Sequence, residues 1–416
     1  MDKDMMILGK DKHYSMDCYK TRRNNNVLVV GTSGAGKTRN IVIPNLLQAT
    51  GSYIVSDPKG NLYREYGKYL EDKGYSVMVL DFTCPEESVH YNPFNYIRNS
   101  NDVLKIANML VKSTGVQTKR TTDPFWDDSS ELLIQALILY MMEVYSPMGR
   151  TLASMYKLID TFYADEVYSS TKCKLDLMMD RREKEDYQSQ AVKQYRKFRA
   201  ASSRTLKSII ITVNARLGMF DTPEVNRMMS GDGIDIASIG DKPTALFVIV
   251  SDTDRSMDTL ANIFFTQAIN ELCRHADKEC VDYHLAVPVR FILDDFATNV
   301  KIEEFPRIIS SIRSRSISTM LMIQAESQLS NCYGADGKTI IGNCDTYVYM
   351  GGNDVETARA ISERCDTPLK KILNMPVGTE WIFRRGETPA FVENFDLEPF
   401  KEEKMSDVCH EESIDL

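Results

Sequence analysis

The apolar residues of this chain fall into two textures. Short β-branched runs are bounded by turn residues, and longer stretches carry apolar positions at helical spacing. Val27–Val30, bounded by Asn26 and Gly31, predicts a strand, and residues 37–48 predict the helix after it. Residues 53–56 give a second strand signal, closed by Asp57, Pro58, Lys59 and Gly60. A helix over 62–72 and a strand over 77–80 follow. Strands alternating with helices of this length predict an α/β fold with a mainly parallel central sheet and crossover helices.

Past Asn92, Pro93 and Phe94 the texture changes. From residue 102 to 220 the pattern is helical, with few β-branched runs. Strand signals resume at 244–250, 290–293, 317–323, 346–350 and 380–383. The chain therefore predicts one α/β domain interrupted by an inserted all-α domain. The expected boundaries are 1–98 and 233–400 for the α/β domain and 99–232 for the insertion. An acidic, disordered tail is expected over 401–416. The longest apolar stretch, 132–142, contains Gln135 and is flanked by Glu131 and Glu143. A bilayer span needs about 20 apolar residues, so this stretch predicts a buried helix. No signal peptide is read at the start, where Asp2, Lys3 and Asp4 precede only a few apolar residues.

Charge sharpens the picture. The chain has 416 residues and a net charge of -9, against a simple basic nucleic-acid coat. The charge is uneven, however. Nine acids and two bases lie between Glu393 and Leu416, so the rest of the chain is nearly neutral. Between Gln190 and Lys207 there are six bases and no acid: Lys193, Arg196, Lys197, Arg199, Arg204 and Lys207. Lys193, Lys197 and Arg204 share roughly one helical face, with Tyr195 alongside. That face could hold phosphates and stack a base, or simply be solvated. The polar stretch 111–123, with Lys112, Lys119 and Arg120, is a second basic candidate for phosphate contact. The acidic tail fits a contact with a basic partner, or keeps an exposed end soluble. The nine cysteines and five histidines show no ligand spacing, so neither zinc nor disulfides are expected and a reducing compartment is.

The chemistry centres on a phosphate loop. Gly31, Thr32, Ser33, Gly34, Ala35, Gly36, Lys37 and Thr38 match G-x-x-x-x-G-K-[ST] between a predicted strand and a predicted helix. The glycines let the backbone curl around phosphate oxygens, Lys37 faces the β- and γ-phosphates, and Thr38 offers a hydroxyl to magnesium. The apolar strand over 290–293 ends in Asp294 and Asp295. That places a carboxylate at the strand's C-terminal edge, with Asp294 in the magnesium shell and Asp295 as general base. Asp57 also ends a strand and is a weaker rival for the metal. Gln324, after the strand at 317–323, is a candidate sensor of the γ-phosphate. Arg313 and Arg315 precede that strand and are candidates for an arginine finger acting in trans, or only complement a helix dipole.

Taken together, these motifs resemble the TraG-type coupling proteins of type IV secretion. The resemblance rests on Leu293 through Ala297, Arg313 and Arg315, Gln324, Ser327 with Gln328, and Asp57 through Gly60. Asn92 through Phe94, Asp123 through Trp126 and Ile340 through Asp345 extend it to nearly the whole chain. It implies a RecA/FtsK-like P-loop NTPase fold of the FtsK/HerA kind, with an inserted all-α domain, acting as a homo-hexamer or as a monomer without DNA or anchor. It implies ATP and Mg2+ as ligands. Its partners would be a relaxase with single-stranded DNA and the channel ATPases or membrane components, at the cytosolic face of the bacterial plasma membrane. Lys37 and Thr38 carry over as Walker A, Asp294 as Walker B, Gln324 as sensor and Arg313, eleven residues earlier, as the likelier finger.

Two departures stand out. The family usually has Glu where this chain has Asp295, which shortens the reach to the attacking water. Family members also usually carry N-terminal transmembrane helices, which are not read here; the chain is then a soluble portion or works with a separate membrane partner. The expected function is ATP-driven transfer of a relaxase–DNA substrate into a secretion channel. The alternatives are an ATP-switched substrate receptor with little hydrolysis and an FtsK-like DNA pump.

Overall fold

The computed structural model describes residues 4–113, 124–162, 172–231 and 233–411. The chain divides into two compact units, one of residues 1–83, 235–255 and 268–416, the other of 84–234 and 256–267.

The first unit is built on a sheet of nine strands. In chain order the strands of this unit are β1 (Met5–Gly9), β2 (Lys12–Ser15), β3 (Val27–Val30), β4 (Ser52–Ser56), β5 (Ser76–Asp81), β6 (Thr244–Ile249), β7 (Val289–Leu293), β8 (Ile317–Ile323), β9 (Thr346–Tyr349), β10 (Thr379–Arg384) and β11 (Ala390–Glu393). The large sheet has the order β11-β10-β9-β3-β8-β7-β4-β6-β5, and β1 pairs with β2 as a separate hairpin. All neighbours from β9 to β5 are parallel, whereas β10 and β11 are antiparallel. Strands β3, β4, β6, β7, β8 and β9 are buried at every position. That is why they read in sequence as continuous apolar runs: both faces of a parallel sheet are covered.

Each strand expected from sequence is present to within a residue or two. The hairpin β1–β2 and the edge strand β11 were not expected. Met6, Ile7 and Leu8 of β1 are buried in the core with Val27, Val29, Ile41 and Val42, and the run is too short and too near the end to stand out. The disorder expected over 401–416 is corrected for residues 401–411, and 412–416 lie outside the described residues. A helix spans Leu397–Glu411, with Leu397 and Phe400 buried in the core cluster. Lys401 pairs with Glu65 at 3.6 Å and lies over the Tyr66 ring. Two apolar anchors and these contacts hold the first half of the acidic tail, which composition alone describes as solvated.

The described part of the second unit contains helices and no strand. Pro124–Val144, the longest, is buried from Leu133 through Met141 apart from its flanks, as its apolar stretch predicts. Glu143, near its end, accepts from Arg182 Nε, Ser189 Oγ and the backbone N–H groups of Gln190 and Ala191. It therefore places a negative charge on the N-terminus of the helix Gln190–Arg199.

Candidate functional site

The site forms where three adjacent strands end together. In the order β3-β8-β7 the C-terminal tips bring Gly31, Gln324 and Asp294 to one edge of the sheet. Gly31 N–H donates to the Ile323 carbonyl at 3.1 Å and Thr32 N–H to the Gly351 carbonyl at 3.1 Å, pinning the loop at its start. Gly34 and Gly36 have φ of +80° and +92°, and a Cβ on Gly36 would meet the Asn40 side chain at 2.4 Å. Only glycine takes this curl without strain. The helix then opens at Lys37, as a wide π-type turn over Lys37–Val42 that continues as Ile43–Leu47.

Lys37 is buried in the loop it closes. Its Nζ donates to the Gly31 carbonyl at 2.7 Å and the Thr32 carbonyl at 3.3 Å. Burial pulls its pKa down, against the opposing pull of Asp294 and Asp295. Thr38 Oγ1 donates to Asp294 Oδ2 at 2.8 Å, and the Asp295 N–H donates to Asp294 Oδ1 at 3.1 Å. Burial pushes the Asp294 carboxyl above its ordinary value, while the Thr38 hydrogen bond and the Lys37 charge pull it back. A hydroxyl and a carboxylate at hydrogen-bond distance form the hard-oxygen pair that a small divalent cation takes. Thr38, Asp294 and the loop backbone therefore fit magnesium beside a polyphosphate.

These residues line one cleft of about 780 Å³, with Asp295, Asp57, Lys59, Thr298, Asn299 and Gln324 among its walls. Sequence reasoning missed Thr298, Asn299 and Asp252. They follow strands β7 and β6 by a few residues, so the rule that ligands bind beyond strand C-termini would have flagged them. Gln324 is held by its own backbone: its N–H donates to Gln328 Oε1 at 2.7 Å, and Gln328 Nε2 donates to Thr298 Oγ1 at 2.9 Å. Arg255 donates to the Thr298 carbonyl at 3.0 Å. Asp57 has local work: its Oδ2 accepts from the Tyr63 N–H at 3.0 Å, in the first turn of Asn61–Asp72.

Arg313 and Arg315 do not join the cleft of their own chain. They form a short turn, Arg313–Arg315, just ahead of β8, not a helix end as expected. Their edge of the sheet is the opposite one, roughly 23 Å away along seven residues of strand. Arg315 forks onto Asp277 at 2.7 and 2.8 Å, while exposed Arg313 donates to the Cys18 carbonyl at 2.9 Å.

The basic helix differs from its sequence reading. Ala191, Val192, Tyr195 and Phe198 face inward. Tyr195 OH donates to Asp176 Oδ1 at 2.9 Å, so its ring is committed to the interior. Arg199 pairs with Asp176 at 2.9 Å and Arg196 with Glu183. Lys193 and Lys197 remain exposed, one turn apart. The side chain of Arg204 lies outside the described residues, as do 114–123 of the polar stretch. Among the described residues, no helix is long and apolar enough to cross a membrane.

Known proteins resemble this chain along most of its length. Residues 2–367 match the family model for conjugative DNA transfer by the type IV secretory system. The chain is 26% identical over 348 residues to protein VirD4 of Rhizobium rhizogenes, covering 81% of this chain and 48% of that protein. It is 22% identical over 380 residues to the conjugal transfer protein TraG of Escherichia coli, covering 82% and 55%. The chain thus spans about half the length of the curated relatives it matches. Its fold is similar to the bacterial conjugative coupling protein TrwB in complex with sulphate, with a TM-score of 0.66, 18% identity and coverage of 90% and 86%. It is also similar to VirB4 of Thermoanaerobacter pseudethanolicus, with a TM-score of 0.59, 13% identity and coverage of 97% and 99%. By the span and order of these matches, the chain belongs to the family of type IV secretion proteins for conjugative DNA transfer.

Proposed function

We propose that this chain is the nucleotide-binding portion of a coupling protein that hydrolyses ATP to drive a relaxase-bound DNA strand into a type IV secretion channel. The observation that carries the reading is the Thr38–Asp294 hydrogen bond of 2.8 Å beside buried Lys37. Its support from relatives is that TrwB has been solved with the ATP analogue ADPNP and with ADP and Mg2+.

In this reading the polyphosphate lies along the loop from Gly31 to Thr38. Lys37 exchanges the Gly31 and Thr32 carbonyls for phosphate oxygens, and their charge restores what burial takes from the ammonium. Thr38 and Asp294 would hold Mg2+, which when bound would screen the β- and γ-phosphate charge. Asp295 orients and deprotonates the attacking water, and Gln324 contacts the γ-phosphate. Arg313 lies too far from its own cleft, so it serves the cleft of a neighbouring copy in a ring. The relaxase, the single strand, the hexamer and a place at the cytosolic face of the membrane complete the proposal. Residues 99–232 would form the inserted substrate-facing domain.

DNA-stimulated hydrolysis by purified chain, abolished by Lys37→Ala, is the expected result. Tight ATP binding without turnover under ring-forming conditions would instead favour an ATP-switched receptor, for which the short Asp295 side chain is the motivating feature. Loss of neither binding nor turnover on Lys37→Ala would refute the site. For Arg313, doping wild-type rings with Arg313→Ala copies should lower activity more than dilution does; a strictly proportional loss removes the finger.

A further inference from the structure

At the sheet edge opposite the cleft, three potential metal donors converge. Asp241 lies in the turn ahead of β6, His275 in the last turn of the helix Asp258–Lys278, and Cys280 just beyond that helix. One donor atom from each lies within 4.8 Å of the other two. His275 Nε2 is 2.9 Å from Asp241 Oδ1. The other ring nitrogen, Nδ1, is 2.9 Å from Glu279 Oε2, and Glu279 is itself fixed by Arg274 at 2.7 Å. The backbone folds the donors together, since the N–H groups of Glu279 and Cys280 both donate to the His275 carbonyl, at 2.9 and 3.2 Å.

We propose that Asp241, His275 and Cys280 form a binding site for a single borderline-soft divalent cation of the Zn2+ or Co2+ kind. The donor set is one carboxylate, one imidazole and one thiolate, which selects such ions over Mg2+ or Ca2+. Tetrahedral coordination with bonds of about 2.0–2.3 Å puts ligand atoms roughly 3.3–3.6 Å apart. The His275–Asp241 pair opens by a few tenths of an ångström to reach that. The half-buried Cys280, whose Sγ lies within 4.8 Å of both partners, closes by at most about 1.5 Å. His275 is buried while Asp241 is exposed, so the ion enters from solvent and a water completes the fourth position.

Glu279 supplies the feature that separates this cluster from a chance gathering of polar groups. A metal-bound histidine characteristically gives its second N–H to a carboxylate, which fixes the tautomer and aims the free nitrogen at the ion. Glu279 occupies that place on Nδ1. On metal binding the Cys280 and His275 protons leave to solvent, and no electron moves. The loaded site clasps the end of the Asp258–Lys278 helix to the turn before β6. Asp277, which lies between His275 and Cys280 in the chain, carries the fork that anchors Arg315, so the clasp steadies the edge that bears Arg313. Sequence spacing could not show this, because Asp241 stands 34 residues from His275.

The test is a Co2+ titration of tag-free full chain, reduced and stripped of metal, followed by visible and near-ultraviolet absorption. One equivalent should bind with a thiolate-to-cobalt charge-transfer band and tetrahedral d–d bands, and Zn2+ should bleach both. Cys280→Ser should remove the thiolate band. Glu279→Gln should weaken binding by about 10- to 100-fold, and His275→Ala by more. Lys37→Ala should bind Co2+ like wild type, which keeps this result separate from the nucleotide site. Circular dichroism checks folding; should His275→Ala not fold, Cys280→Ser, with its partly exposed side chain, decides. Absence of a stoichiometric thiolate band, or a band that survives Cys280→Ser, overturns the proposal.

Discussion

Two carboxylates held in low-dielectric surroundings by the same sheet, Asp294 beyond β7 and Glu380 in β10, have opposite neighbourhoods. Asp294 opens onto the cleft and is met by the Thr38 hydroxyl, the Asp295 N–H and the Lys37 charge. Glu380 is fully buried, and neither of its oxygens has a hydrogen-bond partner. Burial lifts both above their ordinary values, and Glu380 reaches about 8. The difference teaches that burial alone does not make a site. Donors and an opening turn one desolvated acid into a ligand; without them the other is a neutral group that the fold tolerates.

The sharpest way to break that contrast is Asp294→Asn. It should lower ATP turnover by at least about 100-fold while the unfolding midpoint stays close to wild type; retained turnover would put the metal elsewhere. Glu380→Gln should do the reverse, leaving turnover alone and raising stability at pH 7 by about 3 kcal/mol. The sign follows from protonation. Between pH 4.5 and about 8 the folded state keeps a proton that the unfolded state has lost, so wild-type stability falls as pH rises through that window. Denaturation of the Gln variant should show this slope removed; an unchanged slope would mean Glu380 is ionised when folded.

A smaller effect is expected at Gly9, where an added Cβ would meet Glu380 Oε1 at 2.5 Å. Gly9→Ala should cost about 1–3 kcal/mol, and less in a Glu380→Ala background, as chemical denaturation of the two pairs would show. Equal costs in both would deny the contact. The smallest expected change in stability is at Asp295, whose φ is +51°. Short polar side chains tolerate this left-handed region better than longer ones. Asp295→Glu should therefore destabilise by under about 1 kcal/mol, despite restoring the residue usual in the family. A rise in turnover would show that reach to water is limiting here.

The sequence announced most of the sheet because its parallel strands are apolar on both faces, so Val27–Val30 and Ile317–Ile323 stand out as runs. It was silent where burial is one-sided or marginal, as in β2 and β11, whose positions are only partly buried or exposed. At the site, Lys37, Thr38, Asp294, Asp295 and Gln324 were legible from their places at strand ends. Asn299 and the Gln328–Thr298 contact were not, since they depend on how two loops meet in space. The basic helix misled for the same reason: its arginines answer acids at Asp176 and Glu183, which lie on a different helix.

The Gln328 side chain, spanning from the Gln324 backbone to Thr298, has a mechanical consequence. It couples the tip of β8 to the turn after β7, and Arg255 extends the coupling to the segment after β6. The turn that carries Asp295 is thus tied to the tip of β8 by side chains as well as by the strands beneath them.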